Sequence, residues 1–141
     1  MDITIQQHCE DISWQEVADL LKFYGLSTLD AKTQEQVFRN SYAVVFLLDN
    51  NHVVGVGRAL SDGICQAAIY NIALAKYLHG QQYGRLIVYK LIEQVKDCNI
   101  ILYTHPQTVV FYKNLGFDLM KTGMAIYQKD HRHEMKEMGF I

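Results

Sequence analysis

An α/β (α+β) chain with a mixed, mostly antiparallel sheet is the fold class that the sequence predicts, and three observations predict it. Apolar runs rich in β-branched and aromatic residues recur between turn residues, over 42–48, 53–60 and 64–75. The last of these feeds a polar loop with two glycines, His79-Gly80-Gln81-Gln82-Tyr83-Gly84. After that loop Val88, Leu91, Ile92 and Val95 repeat at i, i+3, i+4 and i+7, one apolar helical face. Tight turns force the earlier strands antiparallel, whereas a helix crossover forces the strand at 100–104 parallel to its predecessor. With the remaining segments, the chain reads as about six or seven strands flanked by about four helices.

In chain order, Ile3 and Ile5 alternate with polar neighbours and mark a short first strand. Ser13-Trp14-Gln15-Glu16 is a capping-box pattern, followed by Val17, Leu20, Leu21 and Tyr24 at helical spacing and by Gly25 as a stop. A second helix over 31–40 carries few apolar residues, Val37 and Phe38, and is expected on the surface or over a cleft. The turns Asp49-Asn50-Asn51-His52 and Asp62-Gly63 close the hairpins. The centre of the 64–75 run is apolar on both faces, as expected for a strand covered on both sides. Pro106 starts a short helix. Residues 117–120 and 124–128 read as a final hairpin, and the tail 129–141 is charged with a hydrophobic end.

Length and composition bound the function. A chain of 141 residues with half of them hydrophobic and a single proline is one domain, 1–141, with a substantial core. A net charge of −2 gives no basic field for nucleic acid, although His79, Arg85 and Lys90 suggest a local basic patch. Three widely spaced cysteines suit reduced thiols in the cytoplasm. No signal peptide is expected, and no apolar run approaches a membrane span. His131, His133 and Glu134 form an H-x-H-E cluster. A solvated tail is expected there ahead of a metal site, because no third ligand shares a defined element with it.

A strand, glycine loop and helix start aim free N–H groups and a helix dipole at an anion, phosphate above all. The spacing separates three families. A Walker loop requires Gly-x-x-x-x-Gly-Lys-Ser/Thr, and Gly80 and Gly84 are too close for it. A dinucleotide fingerprint requires Gly-x-Gly-x-x-Gly, which this loop lacks. The third pattern, Gln/Arg-x-x-Gly-x-Gly/Ala, fits in length and at Gly84, with His79 and Gln82 departing from it. Downstream, Phe111-Tyr112-Lys113-Asn114-Leu115-Gly116-Phe117 stands at the right distance. On these two motifs, residues 53–128 resemble the GNAT superfamily of N-acetyltransferases. Val54-Gly55-Val56-Gly57-Arg58-Ala59 and Ser61-Asp62 are similar to small bacterial members and to plant chloroplast enzymes that acetylate arylalkylamines such as serotonin.

The resemblance implies a splayed parallel strand pair that takes acetyl-CoA as cosubstrate, and no metal. It implies that Gly80, Gln81, Gln82, Tyr83 and Gly84, with His79 at the loop's start, bind the pyrophosphate. Ile72 and Leu74 would offer backbone groups to the pantetheine arm. His105 stands where a residue often contacts the CoA arm, or it caps the Pro106 helix. Tyr112 is the expected general acid, protonating the departing thiolate; otherwise it is a packed aromatic. No carboxylate stands at Ala68 or Asn71 to serve as base, which leaves a water chain past Asn71 or a carboxylate such as Asp62. Trp14 and Tyr24 either floor an acceptor pocket or pack in the core. The implied reaction is direct acetyl transfer to a primary amine, a small molecule ahead of a protein lysine. No nucleic-acid or membrane partner is expected, and a homodimer is left open. The alternative is an inactive acyl-CoA-binding sensor or interaction module of the same fold.

Overall fold

In the computed structural model, which describes residues 2–128 and 130–141, the chain forms two compact units, Met1–Leu102 and Tyr103–Ile141. The first unit holds a five-stranded sheet in sequential order. Its strands are β1 (Ile3–Gln6), β2 (Ala43–Asp49), β3 (His52–Ser61), β4 (Gln66–Leu74) and β5 (Asn99–Ile101). β1 to β4 pair antiparallel and β5 pairs parallel to β4. Its helices are α1 (Trp14–Phe23), α2 (Ala31–Arg39) and α3 (Tyr83–Gln94). The second unit carries α4 (Val109–Asn114) and α5 (His131–Glu137).

The central strands are buried on both faces, as their continuous apolar runs require. Residues 43–48 of β2 are all buried. One row of that strand, Val44, Phe46 and Leu48, joins Val17 and Leu21 of α1 and Phe38 of α2 in a core with Val56 and Ala73. Strand alternation turns Val45 and Leu47 to the opposite face, where Ile87 and Leu91 of α3 pack against β3 and β4. Helix α2 lies at the surface, with one face in the core. Phe38 and Gln34 are each about 1% exposed, and Gln34 Nε2 donates to Ser27 Oγ at 2.9 Å. Few apolar residues suffice when one large ring reaches the core. Trp14, half-buried, packs against that core, tilted on Phe38 and edge-on to Phe46, each at 5.8 Å.

Helix ends follow from local chemistry. Ser13 caps α1 through Glu16 N–H, and Asp30 caps α2 through Thr33 N–H. Glu16 does not complete the capping box. Its carboxylate accepts from Val53 N–H at 2.9 Å and pairs with His52 Nδ1 at 2.7 Å, tying α1 to the β2–β3 hairpin. Helix α4 ends in a Schellman motif. Phe117 N–H reaches Tyr112 C=O, Gly116 N–H reaches Lys113 C=O, and Gly116 takes φ +101°. Helix α5 repeats that closure with Gly139 and Phe140.

Two expectations need correction. Among the described residues the sheet has five strands, not six or seven, because 117–128 contains no strand. Alternation there fixes which row a strand would bury. Yet Met124 is 98% and Ile126 92% exposed, so strand formation gains no burial. The tail forms α5, which raises the α-helix count to five among the described residues. Met135 is its buried residue. His131 and His133 sit on α5 as exposed partners of Glu134 and Glu137.

Gly57 of β3 is required by packing. A Cβ there would lie 2.7 Å from both Ile72 Cδ1 and Ile87 Cγ2 and 3.0 Å from Leu91 Cδ1. Gly57→Ala is expected to destabilise the fold by ~1–3 kcal/mol through overpacking. Urea unfolding checks this: the midpoint should fall with an unchanged m-value.

Candidate functional site

The first unit has an opening in its sheet. β5 pairs with β4 only at Gln66, Ala67 and Ala68, opposite Asn99, Ile100 and Ile101. Beyond that point, Ile69 to Leu74 of β4 are flanked by β3 on one side and by no strand on the other among the described residues. This is the splay that the resemblance implies. A strand edge with unpaired backbone groups accepts an extended ligand as another strand would. Ile72 and Leu74 stand on this segment, half-buried and buried, but the Leu74 carbonyl is already taken by Tyr24 and His79.

The open segment is bulged. The β3–β4 register jumps between Val56 and Arg58, so Gly57 alone faces Asn71 and Ile72. Asn71 takes φ +59°, a left-handed conformation that Asn tolerates better than most residues. Its Oδ1 accepts from Arg58 Nε at 2.6 Å. The Arg58 guanidinium lies over the Tyr70 ring at 5.3 Å and the Phe38 ring at 6.0 Å, and Nη1 reaches Ser41 Oγ at 3.3 Å.

After β4 a 3₁₀ turn, Lys76–Leu78, leads into the glycine loop. His79 does not extend from that loop as a free cation. Its Nε2 lies 2.9 Å from Leu74 C=O and 3.2 Å from Tyr24 Oη, and its ring stacks on Tyr24. Because a carbonyl only accepts, Nε2 carries the hydrogen. The Tyr24 hydroxyl donates to the same Leu74 carbonyl at 2.5 Å. The loop is thereby fastened to the end of β4 and to α1. Gln81 Nε2 donates back to Tyr77 C=O. The expected basic patch is dispersed: Arg85 reaches along α3 to the Tyr89 hydroxyl at 3.0 Å, and Lys90 pairs with Glu93.

Helix α3 starts differently from α1 and α2. Its N-cap, Gln82, has φ +71° and ψ 9° and no side-chain cap. Gly80 is also left-handed, at φ +79°. Tyr83 and Gly84 are the first two helical residues. The first-turn N–H groups have no carbonyl one turn earlier and no capping side chain, so they are donors for an external acceptor.

The second unit holds Tyr112 and His105. Tyr112 lies on α4 between two edge-on rings, Phe111 at 5.0 Å and Phe117 at 5.7 Å. Burial pushes its hydroxyl up to about 12, so it stays protonated at neutral pH. His105 precedes the Pro106 turn without a side-chain cap. Its carbonyl accepts from Thr108, and its ring packs edge-on to Phe140 at 4.9 Å.

Asp62 accepts hydrogen bonds within its own turn. Its carboxylate is held well below the usual range, first by Cys65 N–H, then by Ile64 N–H, the Cys65 thiol and Gln66 N–H. It holds the β3–β4 turn. The pairs that sequence reasoning missed are Arg58–Asn71 and Tyr24–His79. A polar Asn within an apolar strand, across from a glycine, was the signal for the first. Nothing in the spacing of Tyr24 and His79 announces the second.

The profile of the acetyltransferase (GNAT) family matches residues 9–117, and the chain belongs to that family. Members of it use acetyl-CoA as cosubstrate. The uncharacterized N-acetyltransferase ycf52 of Pyropia yezoensis is 28% identical over 115 residues, covering 77% of this chain and 66% of that protein. The chloroplastic serotonin N-acetyltransferase 2 of Oryza sativa subsp. japonica is 32% identical over 82 residues, covering 53% of this chain and 40% of that protein. The chain thus spans just under two thirds, or less, of these curated relatives. A GNAT-family acetyltransferase structure from Streptococcus pneumoniae superposes with a TM-score of 0.75 at 21% identity, over 91% of this chain and all of that one, a likeness of fold.

The left-handed Gln82 explains why glycine is usual at that place in the loop. Strain of ~1–2 kcal/mol at a non-glycine left-handed residue is opposed by the entropy that glycine adds to the unfolded chain, ~0.5–1 kcal/mol. Gln82→Gly is therefore expected to leave the melting temperature unchanged or slightly higher, with acetyl-CoA affinity kept or improved. Gln82→Val, β-branched at positive φ, should lower both. Thermal unfolding and calorimetric titration with acetyl-CoA check the pair; a large affinity loss in Gln82→Gly would show a needed side-chain contact.

Proposed function

We propose that this chain is an N-acetyltransferase that moves an acetyl group from acetyl-CoA directly to a primary amine. The observation that carries the reading is the opened β4 edge, bulged at Asn71 and leading into a loop whose helix start is uncapped. That edge suits an extended pantetheine arm, and the N–H groups of residues 80–84 suit a pyrophosphate. Tyr112 serves as general acid, protonating the thiolate as the tetrahedral intermediate collapses. Its raised pKa supports this role, because the donor remains loaded across the working pH range. The amine attacks in its neutral form, and water accepts its proton, since β4 carries no carboxylate. The acceptor is a small amine. The name of the rice relative favours an aromatic one.

A second reading rests on that absent carboxylate: a module that binds acetyl-CoA without turnover. A thermal shift with acetyl-CoA, followed by thiol release against an amine panel, separates the two. Binding with release on one or more amines supports the transferase. Binding without release on any amine supports the module.

Tyr112→Phe tests the acid. The ring and its stacking partners stay, so the melting temperature and acetyl-CoA affinity should change little. The kcat should fall ~10²-fold, the low end for general-acid catalysis, because a thiolate leaves fairly readily. The wild-type hydroxyl holds its proton below its raised pKa and loses it above. Its alkaline limb in kcat/KM should therefore lie well above pH 10 and be missing in Tyr112→Phe. Equal kcat in the two proteins would remove Tyr112 from the mechanism.

A further inference from the structure

We propose that Arg58 is a positioning residue for acetyl transfer, acting through Asn71 to hold the β4 bulge in its open form. The inference rests on the transferase reading above. Its observations lie in β3, β4, α2 and the turn after α2. Asn71 occupies a left-handed conformation in mid-strand, at φ +59°, with one β3 residue facing two of β4. Such a bend relaxes unless something holds it, because the alternative is a regular ladder with all backbone bonds made. Arg58 stands at the register step itself, paired with Tyr70. Its Nε–H···Oδ1 bond to Asn71 measures 2.6 Å and is charge-assisted.

Arg58 is in turn held as a plane rather than as a mobile charge. Its guanidinium lies over Tyr70 at 5.3 Å and Phe38 at 6.0 Å, and Nη1 reaches Ser41 Oγ. Phe38 and Ser41 belong to α2 and the turn after it, so the second helix braces the arginine that braces the bulge. Lysine offers neither the fixed plane nor an Nε donor at that angle. The consequence for chemistry is directional. With Oδ1 bonded to Arg58, the Asn71 carboxamide keeps its Nδ2–H donors and one acceptor lone pair, and an amide oxygen is far too weakly basic to take a proton from an ammonium. It therefore orients a carbonyl or a water and does not accept the amine's proton. The bulge also removes one residue's backbone from the ladder beside the opening, where a thioester carbonyl needs a donor. A displacement of about 1 Å in such a donor costs on the order of 10²-fold in rate.

The test is a double-mutant cycle on the full chain with Arg58→Gln, Asn71→Gly, and both together. Glycine keeps the left-handed bulge without strain and deletes the carboxamide. Arg58→Gln should lower kcat by about 10²-fold, with KM for acetyl-CoA within about threefold and the fold retained by circular dichroism. In the Asn71→Gly background the same change should have little further effect, and Arg58→Lys should rescue poorly. Equal kcat in Arg58→Gln and wild type overturns the proposal. So does an undiminished Arg58→Gln loss in the Asn71→Gly background, which would place the arginine's action elsewhere. If the wild type binds acetyl-CoA but acetylates no amine, the transferase reading fails by itself. The clamp is then judged by the infrared band of carbonyl-labelled acetyl-CoA. A bound-state shift in the wild type that disappears in Arg58→Gln supports it, and identical bands overturn it. Should Arg58→Gln fail to fold, Asn71→Gly alone decides by the same band, which must move toward that of free acetyl-CoA.

Discussion

One backbone dihedral governs the middle of this sheet. With Asn71 left-handed, β4 gains a residue over β3, and the strand bends where its other edge pairs with no strand among the described residues. Three neighbours make that bend tolerable. Gly57 leaves room for Ile72 and for Ile87 and Leu91 of α3 to approach the backbone. Arg58 satisfies the carboxamide of Asn71, and Phe38 gives the guanidinium a surface to lie on. Remove the glycine and the helix must lift; remove the arginine and a half-buried amide loses its partner. The bulge is thus a packed and hydrogen-bonded feature of the strand beside its open edge.

Helix starts divide the remaining work. Ser13 and Asp30 close their own helices, and those ends are purely structural. The start of α3 is closed by nothing of its own, and its N-cap sits in a conformation that ordinary caps do not adopt. What fixes the loop instead is the Tyr24–His79 pair on the Leu74 carbonyl, a contact made at the loop's entrance. The loop is therefore held at its entrance, while its helix start has no side-chain cap among the described residues. Burial raises the Tyr24 pKa, which keeps its hydroxyl a donor to that carbonyl.

Much of this was legible in the sequence, and the limits have physical causes. Periodicity located β2, β3, β4, α1 and α3, because each buries an uninterrupted apolar row against a neighbour of known type. The Gly116-Phe117 pair was legible as a motif, and its Schellman closure with stacked Tyr112 and Phe117 shows why those residue types recur at that spacing. The same closure at Gly139-Phe140 would have announced α5, whose charged face hid it. The hairpin over 117–128 was misread because alternation reports a pattern and not the presence of a partner. Phe38 shows the opposite limit: a helix thin in apolar residues was placed at the surface, and one ring still carries a face of it into the core. Side-chain pairs distant in sequence, Arg58 with Asn71 and Tyr24 with His79, leave no periodic trace at all.

Arg58 and the start of α3 both carry positive charge. Arg58 brings a permanent positive charge to the bulge, and α3 contributes the positive end of its dipole at the loop. No carboxylate stands on β4, and Asp62 is engaged in its own turn. A field of that sign favours an anionic phosphate chain along the edge. Under the proposed transfer, the same field would disfavour an ammonium beside the bulge relative to the neutral amine. A site with this electrostatic bias has less need of a strong base, because part of the deprotonation is achieved by the environment.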